Sequence, residues 1–207
     1  MKPTIAITAG DINGVGYEVL IKSLANSHVT EICRPIVYGN ANVARQHLQT
    51  LDEEYRNIQW NIIQDPKQVK EGRVNLISCY SDDTPLQLGT STPEAGQAAF
   101  KSLQRACQDL KKGSVDALVT APINKDNIQS NDFRFAGHTE YLTEQFGEGQ
   151  DSLMMMISEQ MRVALVCNHT PIAKVAETIT IERILSKLTI LDKTLKTDFT
   201  IRKPRIA

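Results

Sequence analysis

The fold of this chain is decided by the stretch Ala117-Leu118-Val119-Thr120-Ala121-Pro122-Ile123-Asn124-Lys125. Its apolar start is typical of a buried strand, and Thr120-Ala121-Pro122 then ends that strand abruptly in a loop. Proteins with an α/β fold keep their ligand sites at the carboxyl ends of such strands. Farther along, Gly137-His138-Thr139-Glu140 places an imidazole, a hydroxyl and a carboxylate in consecutive positions after a flexible residue. Polar groups concentrated in this way indicate a ligand site.

Short β-branched runs alternate with helical patterns along the rest of the chain, which predicts an α/β fold. Strands are predicted over residues 4–8, 35–39, 60–63, 74–78 and 115–119. Helices are predicted over residues 17–26, 42–51, 95–111 and 184–194. Residues 152–158 and 162–167 resemble the two strands of a hairpin, and residues 203–207 resemble the start of another strand. The methionine triple Met154-Met155-Met156 is interpreted as core filling rather than as part of a cofactor site.

Composition places the chain among ordinary globular proteins. It has 207 residues, of which 41% are hydrophobic and 23% charged, enough for a substantial core. The net charge of -1, with both signs mixed along the chain, predicts neither a nucleic-acid nor a membrane partner. Because no apolar span or signal peptide is recognisable, a cytoplasmic location is expected. The four cysteines have no paired metal spacing, and we expect them to be reduced: Cys33, Cys79, Cys107 and Cys167.

The glycines between the first strand and the first helix allow two interpretations. The loop reads Ala9-Gly10-Asp11-Ile12-Asn13-Gly14-Val15-Gly16. Glycines there permit close backbone approach, and the amino end of the following helix favours an anion. The spacing differs from the dinucleotide fingerprint, so a simple turn between strand and helix explains the glycines equally well.

Two of the four histidines are candidates for chemistry. His28 and His47 lie in helical, polar surroundings and are predicted to be on the surface. His138 and His169 each follow a loop-forming residue at the end of an apolar element, and we expect them at carboxyl ends of the same sheet. That pairing favours proton transfer or metal ligation over a purely structural imidazole. A metal site usually needs three or four ligands, and no convincing third ligand is recognisable.

The remaining polar residues of these loops keep alternative roles. Lys125 can hold a phosphate or stabilise developing negative charge, or it can be a solvated lysine. Asn124 can orient a substrate oxygen or the loop itself. Glu140 can ionise in the site or pair with Arg134. From the residues alone, the chain is a small-molecule α/β enzyme with a polar cleft.

Four motifs resemble those of one enzyme family. Gly10-Asp11-Ile12-Asn13-Gly14-Val15-Gly16-Tyr17-Glu18 is similar to Gly-Asp-Pro-Ala-Gly-Ile-Gly-Pro-Glu of the 4-hydroxythreonine-4-phosphate dehydrogenases of pyridoxal phosphate biosynthesis. Three more motifs match in order and spacing: Thr120-Ala121-Pro122-Ile123-Asn124-Lys125, Gly137-His138-Thr139-Glu140-Tyr141 and Asn168-His169-Thr170-Pro171. The resemblance covers residues 4–206. Ile12-Asn13 and Tyr17 replace the usual Pro-Ala and Pro of the family, which should alter the stiffness of the loop more than its chemistry.

The resemblance implies a fold like that of isocitrate and isopropylmalate dehydrogenases, with two α/β domains around a central cleft and a homodimer that shares each site. It implies NAD-dependent oxidation of 4-phosphonooxy-L-threonine and decarboxylation to 3-amino-2-oxopropyl phosphate. His138 and Thr139 would contact substrate, and His169 would be one ligand of a divalent metal such as zinc, magnesium or cobalt. Lys125 and His138 would be the catalytic residues, and the residues that contact NAD are unknown.

The family pattern continues beyond this sequence. Asn-Pro-His-Ala-Gly and Tyr-His-Asp-Gln-Gly motifs, which supply the other metal histidines and most dinucleotide contacts, do not occur in residues 1–207. The chain is therefore expected to be the amino-terminal portion of the enzyme and to be inactive alone. Related enzymes that oxidise 4-phospho-D-threonate or 4-phospho-D-erythronate, and a non-catalytic binding or oligomerisation fragment, are the alternatives.

Overall fold

The computed structural model describes residues 2–207. The strands are β1 (Thr4–Thr8), β2 (Arg34–Gly39), β3 (Trp60–Ile63), β4 (Val74–Ser78), β5 (Ala117–Thr120), β6 (Met155–Ile157) and β7 (Arg162–Ala164). The α-helices are α1 (Gly16–Leu24), α2 (Ser27–Ile32), α3 (Ala41–Thr50), α4 (Pro93–Lys111), α5 (His138–Phe146), α6 (Val175–Thr178) and α7 (Ile181–Thr197). The chain divides into two compact units, one ending at Tyr141 and the other spanning Leu142–Ala207.

The first unit is built on a parallel sheet of five strands in the order β3-β4-β2-β1-β5. Side chains alternate between its faces, so Val37 packs in one core cluster while its neighbours Ile36 and Tyr38 pack in the other. Sheets covered on both faces need nearly continuous apolar strands, which β2 and β4 provide. The predicted α/β fold is confirmed, with a parallel sheet at its centre.

The exposure of β5 corrects one expectation about this sheet. Ala117-Leu118-Val119 was expected to be a buried strand, but β5 is an edge strand and Val119 is 52% exposed. Within residues 2–207 it pairs only with β1, in the register Thr8 opposite Thr120. An apolar run predicts a strand well but does not tell a central strand from an edge strand.

Local sequence explains where the helices begin. Asn40 precedes α3, and its side-chain oxygen accepts hydrogen bonds from two amides of the first helical turn. Thr92 caps α4 in the same way through Ala95, with Pro93 at the first helical position. Thr180 caps α7 through the amide of Arg183. The predicted helices over residues 42–51, 95–111 and 184–194 are therefore confirmed, with shifts of a few residues at their ends.

His47 is buried, so its predicted surface position is wrong. The side chain is only 3% exposed, its Nε2 lies 2.8 Å from the carbonyl oxygen of Ile12, and its ring stacks on Tyr17 at 4.9 Å. Burial lowers the pKa of His47. The polar neighbours of His47 in sequence point outward, whereas its own helical position faces α1. This imidazole ties α3 to the loop that follows β1.

The second unit holds the predicted hairpin and the last long helix. Strands β6 and β7 pair antiparallel, with Met155 opposite Ala164. Lys187 of α7 is buried, and its ammonium donates hydrogen bonds to the carboxylate of Asp151 and the carbonyl oxygen of Ser152. The nearby ammonium lowers the pKa of Asp151. A lysine thus fixes the segment before the hairpin onto α7.

Two predictions about this unit are wrong. Met154 and Met156 are exposed rather than core-filling, because alternate side chains of a two-stranded hairpin are left uncovered by the unit. Residues 203–207 form no strand, although the sequence Lys203-Pro204-Arg205-Ile206-Ala207 suggested one. A strand needs a hydrogen-bonding partner, and that requirement is invisible in a five-residue pattern. Among residues 2–207, no helix combines the length and the apolar character needed to cross a bilayer.

Replacing Gly96 by alanine should destabilise the first unit. A Cβ at this position of α4 would overlap the backbone carbonyl of Asn127, so the loop would have to move. The alanine gains about 1 kcal/mol of helix propensity, but overpacking of this kind costs about 1–3 kcal/mol. Urea unfolding followed by circular dichroism should show a lower midpoint for Gly96→Ala. Gln97→Ala, at an exposed position of the same helix, is the control. A midpoint equal to or above that of the wild type would contradict the close contact.

The buried imidazole of His47 should make stability depend on pH. Its pKa is lowered in the folded protein, so acid protonates the unfolded chain first and stability falls as the pH drops below about 6.5. His47→Gln, which keeps a donor for the Ile12 carbonyl but does not titrate, should flatten part of this loss. Urea midpoints measured at a series of pH values provide the test, with His28→Gln as an exposed control. Parallel pH profiles for wild type and His47→Gln would show that His47 is not responsible.

Candidate functional site

The loops after β1 and β5 meet at the carboxyl edge of the sheet. Strand β2 lies on one side of β1 and β5 on the other, so the chain reverses its direction of winding beside β1. In open α/β sheets, ligands bind at such a switch point, outside the carboxyl ends of the strands. The amide of Asp11 donates to the carbonyl oxygen of Pro122 at 2.9 Å, and the amide of Ala121 donates to Thr8 at 3.2 Å. The two loops therefore form one surface.

Gly10 makes this contact possible. Its φ of +68° lies in the left-handed region, and a Cβ would overlap the carbonyl oxygen of Pro122. The close approach of the β1 and β5 loops requires a glycine at this position. A turn between strand and helix, without a bound anion, therefore accounts for Gly10. No ligand is needed to explain it.

Asn124 organises the loop that carries Lys125. Its side-chain oxygen accepts hydrogen bonds from the amides of Asp126, at 3.0 Å, and Asn127, at 3.2 Å. Its side-chain nitrogen donates to Ser91 Oγ at 3.2 Å. Both ends of the amide are thus used within the protein, so the structure favours orientation of the loop over contact with a substrate oxygen. Lys125 itself is exposed.

Gly137 brings Lys125, Glu140 and His138 into one neighbourhood. A Cβ on Gly137 would lie 3.7 Å from Lys125 Cε and 3.6 Å from Glu140 Oε2. These are ordinary contact distances, so the lysine stem and the carboxylate both lie beside the first turn of α5. Arg134 donates to Asn131 Oδ1 at 3.0 Å, so its guanidinium is directed toward Asn131.

His138 is the most unusual group in this neighbourhood. It is the first residue of α5, and its Nε2 is buried without a hydrogen-bond partner within the described chain. Burial, together with the positive charge of Lys125, lowers the pKa of His138. The imidazole is therefore neutral at pH 7, and its unpartnered nitrogen has hydrogen-bonding capacity left for a ligand that reaches it. Thr139 follows it in the same helical turn and is half-buried.

An aromatic cluster holds His138 in place. Tyr141, one turn further along α5, packs against Phe133 with ring centroids 5.5 Å apart, and Phe133 packs against Phe100 of α4 at 5.6 Å. Phe135 completes the cluster, 5.3 Å from Tyr141. These rings attach the segment between β5 and α5 to the long helix α4, so the amino end of α5 has a fixed position.

His169 follows the second strand of the predicted hairpin, as expected, but this hairpin is not part of the five-stranded sheet. This histidine lies in the loop after β7, in the second unit, so the prediction that His138 and His169 flank one sheet is wrong. Strand β7 belongs to the two-stranded antiparallel sheet, and similar apolar runs conceal this difference in the sequence. His169 is exposed and has a φ of +51°, a conformation that is uncommon for residues other than glycine.

The described residues do not form a complete metal site. Residues 2–207 contain no group of three or more histidine, cysteine, aspartate or glutamate side chains placed to hold a metal ion. His169 offers one imidazole, whereas protein metal sites usually use three or four ligands. All four cysteines are free thiols, as expected, and burial raises the pKa of Cys107 to about 11.

Sequence reasoning missed two buried polar residues, one in the loop after β1 and one at the start of α1. Asn13 is buried and hydrogen-bonded to the segment before α4, and Tyr17 donates to or accepts from the hydroxyl of Tyr80 at 2.8 Å. Tyr17 also accepts the Asn40 amide at 2.8 Å. The available signal was that both Asn13 and Tyr17 are departures from the family motif, each replacing a residue without a side-chain donor.

Comparison with known proteins finds relatives over most of the chain. A family model described as pyridoxal phosphate biosynthetic protein PdxA matches residues 31–207. A 4-hydroxythreonine-4-phosphate dehydrogenase of Bacteroides thetaiotaomicron is 43% identical over 206 residues, which are 100% of this chain and 56% of that protein. A Clostridium botulinum protein provisionally named D-threonate 4-phosphate dehydrogenase is 34% identical, covering 89% of this chain and 55% of that protein.

The solved structures agree with the sequence comparison. A crystal structure of a 4-hydroxythreonine-4-phosphate dehydrogenase from Burkholderia phymatum superposes with a TM-score of 0.84 at 31% identity, covering 99% of this chain and 61% of that one. This chain thus spans little more than half the length of the relatives it matches. With the match extending over most of its length, the chain belongs to the PdxA family of pyridoxal phosphate biosynthetic proteins.

Proposed function

We propose that this chain supplies part of the active site of an NAD-dependent dehydrogenase that oxidises 4-phosphonooxy-L-threonine in pyridoxal 5'-phosphate biosynthesis. The product, after decarboxylation, is 3-amino-2-oxopropyl phosphate. The observation that carries the proposal is the buried, unpartnered Nε2 of His138 near Lys125, a residue of the loop that follows β5 at the switch point of the sheet. Relatives named 4-hydroxythreonine-4-phosphate dehydrogenase support this choice of substrate.

The proposed chemistry uses groups whose charges suit it. Oxidation of a secondary alcohol moves a hydride to NAD and a proton to a base, and the neutral imidazole of His138 can take that proton or hold the hydroxyl through a hydrogen bond. Lys125 is a point cation suited to the phosphate or to the developing alkoxide. Thr139 adds a hydroxyl in the same turn of α5 as His138. Loss of carbon dioxide from the β-keto acid then gives the aminoketone.

The cofactor assignments rest on family membership. NAD would accept the hydride, and the residues of this chain that contact it are unknown. A divalent metal (zinc, magnesium or cobalt) would have His169 as one ligand. Residues 2–207 do not supply a complete ligand set for such a metal.

We further propose that the whole protein has two α/β domains around a central cleft, as in isocitrate dehydrogenase, and works as a cytoplasmic homodimer. Exposed apolar side chains in the second unit support burial against another protein surface. They are Met156, Ile157, Met161, Ile172, Ile181 and Leu185. Side chains of this kind are usually covered by another part of the protein or by a partner subunit.

A second candidate function is oxidation of 4-phospho-D-threonate or 4-phospho-D-erythronate. The Clostridium botulinum relative, with its provisional D-threonate name, favours it. These substrates share the phosphate and the secondary alcohol, so Lys125 and His138 would serve them equally. The difference lies at the amino group, which the D-threonate substrate lacks. A non-catalytic binding or oligomerisation role for the chain is the third candidate, and turnover rather than binding distinguishes it.

Substrate affinity should depend on Lys125. Calorimetric titration of the chain with 4-phosphonooxy-L-threonine should show weaker binding for Lys125→Met by about tenfold, the cost of one charge-assisted contact. Lys101→Met, at an exposed position of α4, is the matched control and should bind like the wild type. Equal affinities for wild type and Lys125→Met would exclude Lys125 from the phosphate site. Tighter binding of 4-phospho-D-threonate would favour the second candidate.

The charge of Lys125 should also be visible at His138. NMR titration of the imidazoles should give a pKa for His138 below its ordinary range, and Lys125→Met should raise it by removing a nearby positive charge. Burial remains in the variant, so the pKa should stay below that of an exposed histidine. His28, which lies on the surface beside Glu31, serves as the internal reference. An unchanged His138 pKa in Lys125→Met would place the ammonium away from the imidazole.

A further inference from the structure

Asn13 is buried deep in the loop after β1 and is used by none of the chemistry proposed above. It is only 3% exposed. Its side-chain nitrogen donates to the carbonyl oxygen of Thr90 at 2.9 Å and to Thr92 Oγ1 at 3.1 Å. Its side-chain oxygen accepts from the amide of Gln87 at 2.8 Å. The alanine of the family motif could make none of these three bonds.

The bonds of Asn13 fix the segment before α4 from both sides of Ser91. Thr90 and Thr92 are the immediate neighbours of Ser91, and Asn13 holds one by its carbonyl and the other by its hydroxyl. The backbone oxygen of Asn13 adds a fourth bond, from the amide of Gly89 at 2.8 Å. Thr92 Oγ1 also accepts from the amide of Ala95 and so caps α4. The backbone of Ser91 is therefore held in place although its residue is exposed.

Ser91 in turn connects this segment to the loop that carries Lys125. Its Oγ accepts the hydrogen bond of Asn124 Nδ2 at 3.2 Å. The other end of the Asn124 side chain accepts from the amides of Asp126 and Asn127, so the orientation of one amide group shapes the turn around Lys125. The connection runs from Asn13 through the backbone around Ser91 to Asn124, with an asparagine side chain making the hydrogen bonds at each end.

We propose that Asn13 is a positioning residue that orients the Lys125 loop through Ser91 and Asn124. Both donor hydrogens of its amide and its acceptor oxygen are engaged within the protein, so it has no donor left for a ligand. Its contribution is to limit the positions open to the Lys125 ammonium beside His138. That this limit serves catalysis rests on the proposed function; the positioning itself does not.

A second contact offers another explanation for the position of the turn around Lys125. Gly96 of α4 contacts the backbone carbonyl of Asn127, and this packing can hold the turn without help from Ser91. If it does so alone, loss of the Asn13 side chain would loosen only residues 87–92. If Asn13 acts as proposed, the loosening would extend to the amides of Asp126 and Asn127, which are hydrogen-bonded to Asn124 and not to Asn13.

Amide hydrogen exchange, measured by NMR on the full chain without substrate, separates these outcomes. Asn13→Ala should speed exchange of the Gln87 amide, its direct partner, and also of the Asp126 and Asn127 amides, by about threefold or more, the scale of one lost hydrogen bond. Ser91→Ala should speed exchange at Asp126 and Asn127 while leaving Gln87 unchanged. Faster exchange at Gln87 with no change at Asp126 and Asn127 would overturn the proposal.

Two controls keep this test decisive. Asn61→Ala removes a different asparagine bond, that to Asn75 Oδ1, and should leave the Asp126 and Asn127 amides unchanged. If Asn13→Ala does not fold, Ser91→Ala carries the test, because Ser91 is exposed and its loss opens no cavity. Unchanged exchange at both distant amides in Ser91→Ala would then overturn the connection. Because no substrate is present, failure here is distinguishable from failure of the proposed function, which the binding experiment with Lys125→Met tests separately.

Discussion

The hydrogen bond from the Asp11 amide to the Pro122 carbonyl is the constraint on which the candidate site depends. It lies just beyond the paired ends of β1 and β5 and requires Gly10 to adopt a left-handed conformation with no side chain. From this junction, the segment after β5 follows a path toward α5. That path leads past Asn124 and Lys125 to the amino end of α5, where the aromatic cluster fixes His138. Backbone packing between the two loops therefore determines where the polar side chains of the candidate site lie.

Electrostatics then determines what the fixed groups can do. Burial and a neighbouring ammonium both disfavour a proton on His138, so its imidazole stays neutral where an exposed histidine would begin to charge. A neutral imidazole with an unpartnered nitrogen is costly to bury unless a ligand or water completes its hydrogen bonding. The same desolvation acts on His47, but there the carbonyl of Ile12 satisfies the ring and the result is structural. Of these two imidazoles, His47 has a hydrogen-bond partner for its Nε2, whereas Nε2 of His138 has none within the described chain.

Sequence patterns predicted the parallel-sheet fold and most of its helices, because β-branched runs, an asparagine or threonine cap and the proline of α4 act locally. They also placed Lys125 in the loop that follows β5, at the carboxyl edge of the sheet, whereas His138 begins α5 instead of following a strand. They did not reveal that β5 is an edge strand, that His169 belongs to a separate sheet or that His47 is buried, since each depends on which element packs alongside. The presence of Asn13 in place of alanine predicted a change in loop stiffness, but its side chain forms hydrogen bonds to residues more than seventy positions away in the chain.

The central position of β1 has a consequence for the order in which the chain can fold. One edge of β1 pairs with β2, which follows about thirty residues later in the chain. The other edge pairs with β5, and the amide of Thr4 donates a hydrogen bond to the carboxylate of Asp116, 112 residues away. Closing so long a loop costs entropy before any contact rewards it, which slows formation of the sheet. On the ribosome, β1 must therefore leave the exit tunnel with an open edge and keep it unpaired until more than half of the 207 residues have been synthesised. During that interval, the unpaired edge of β1 is open to pairing with wrong partners.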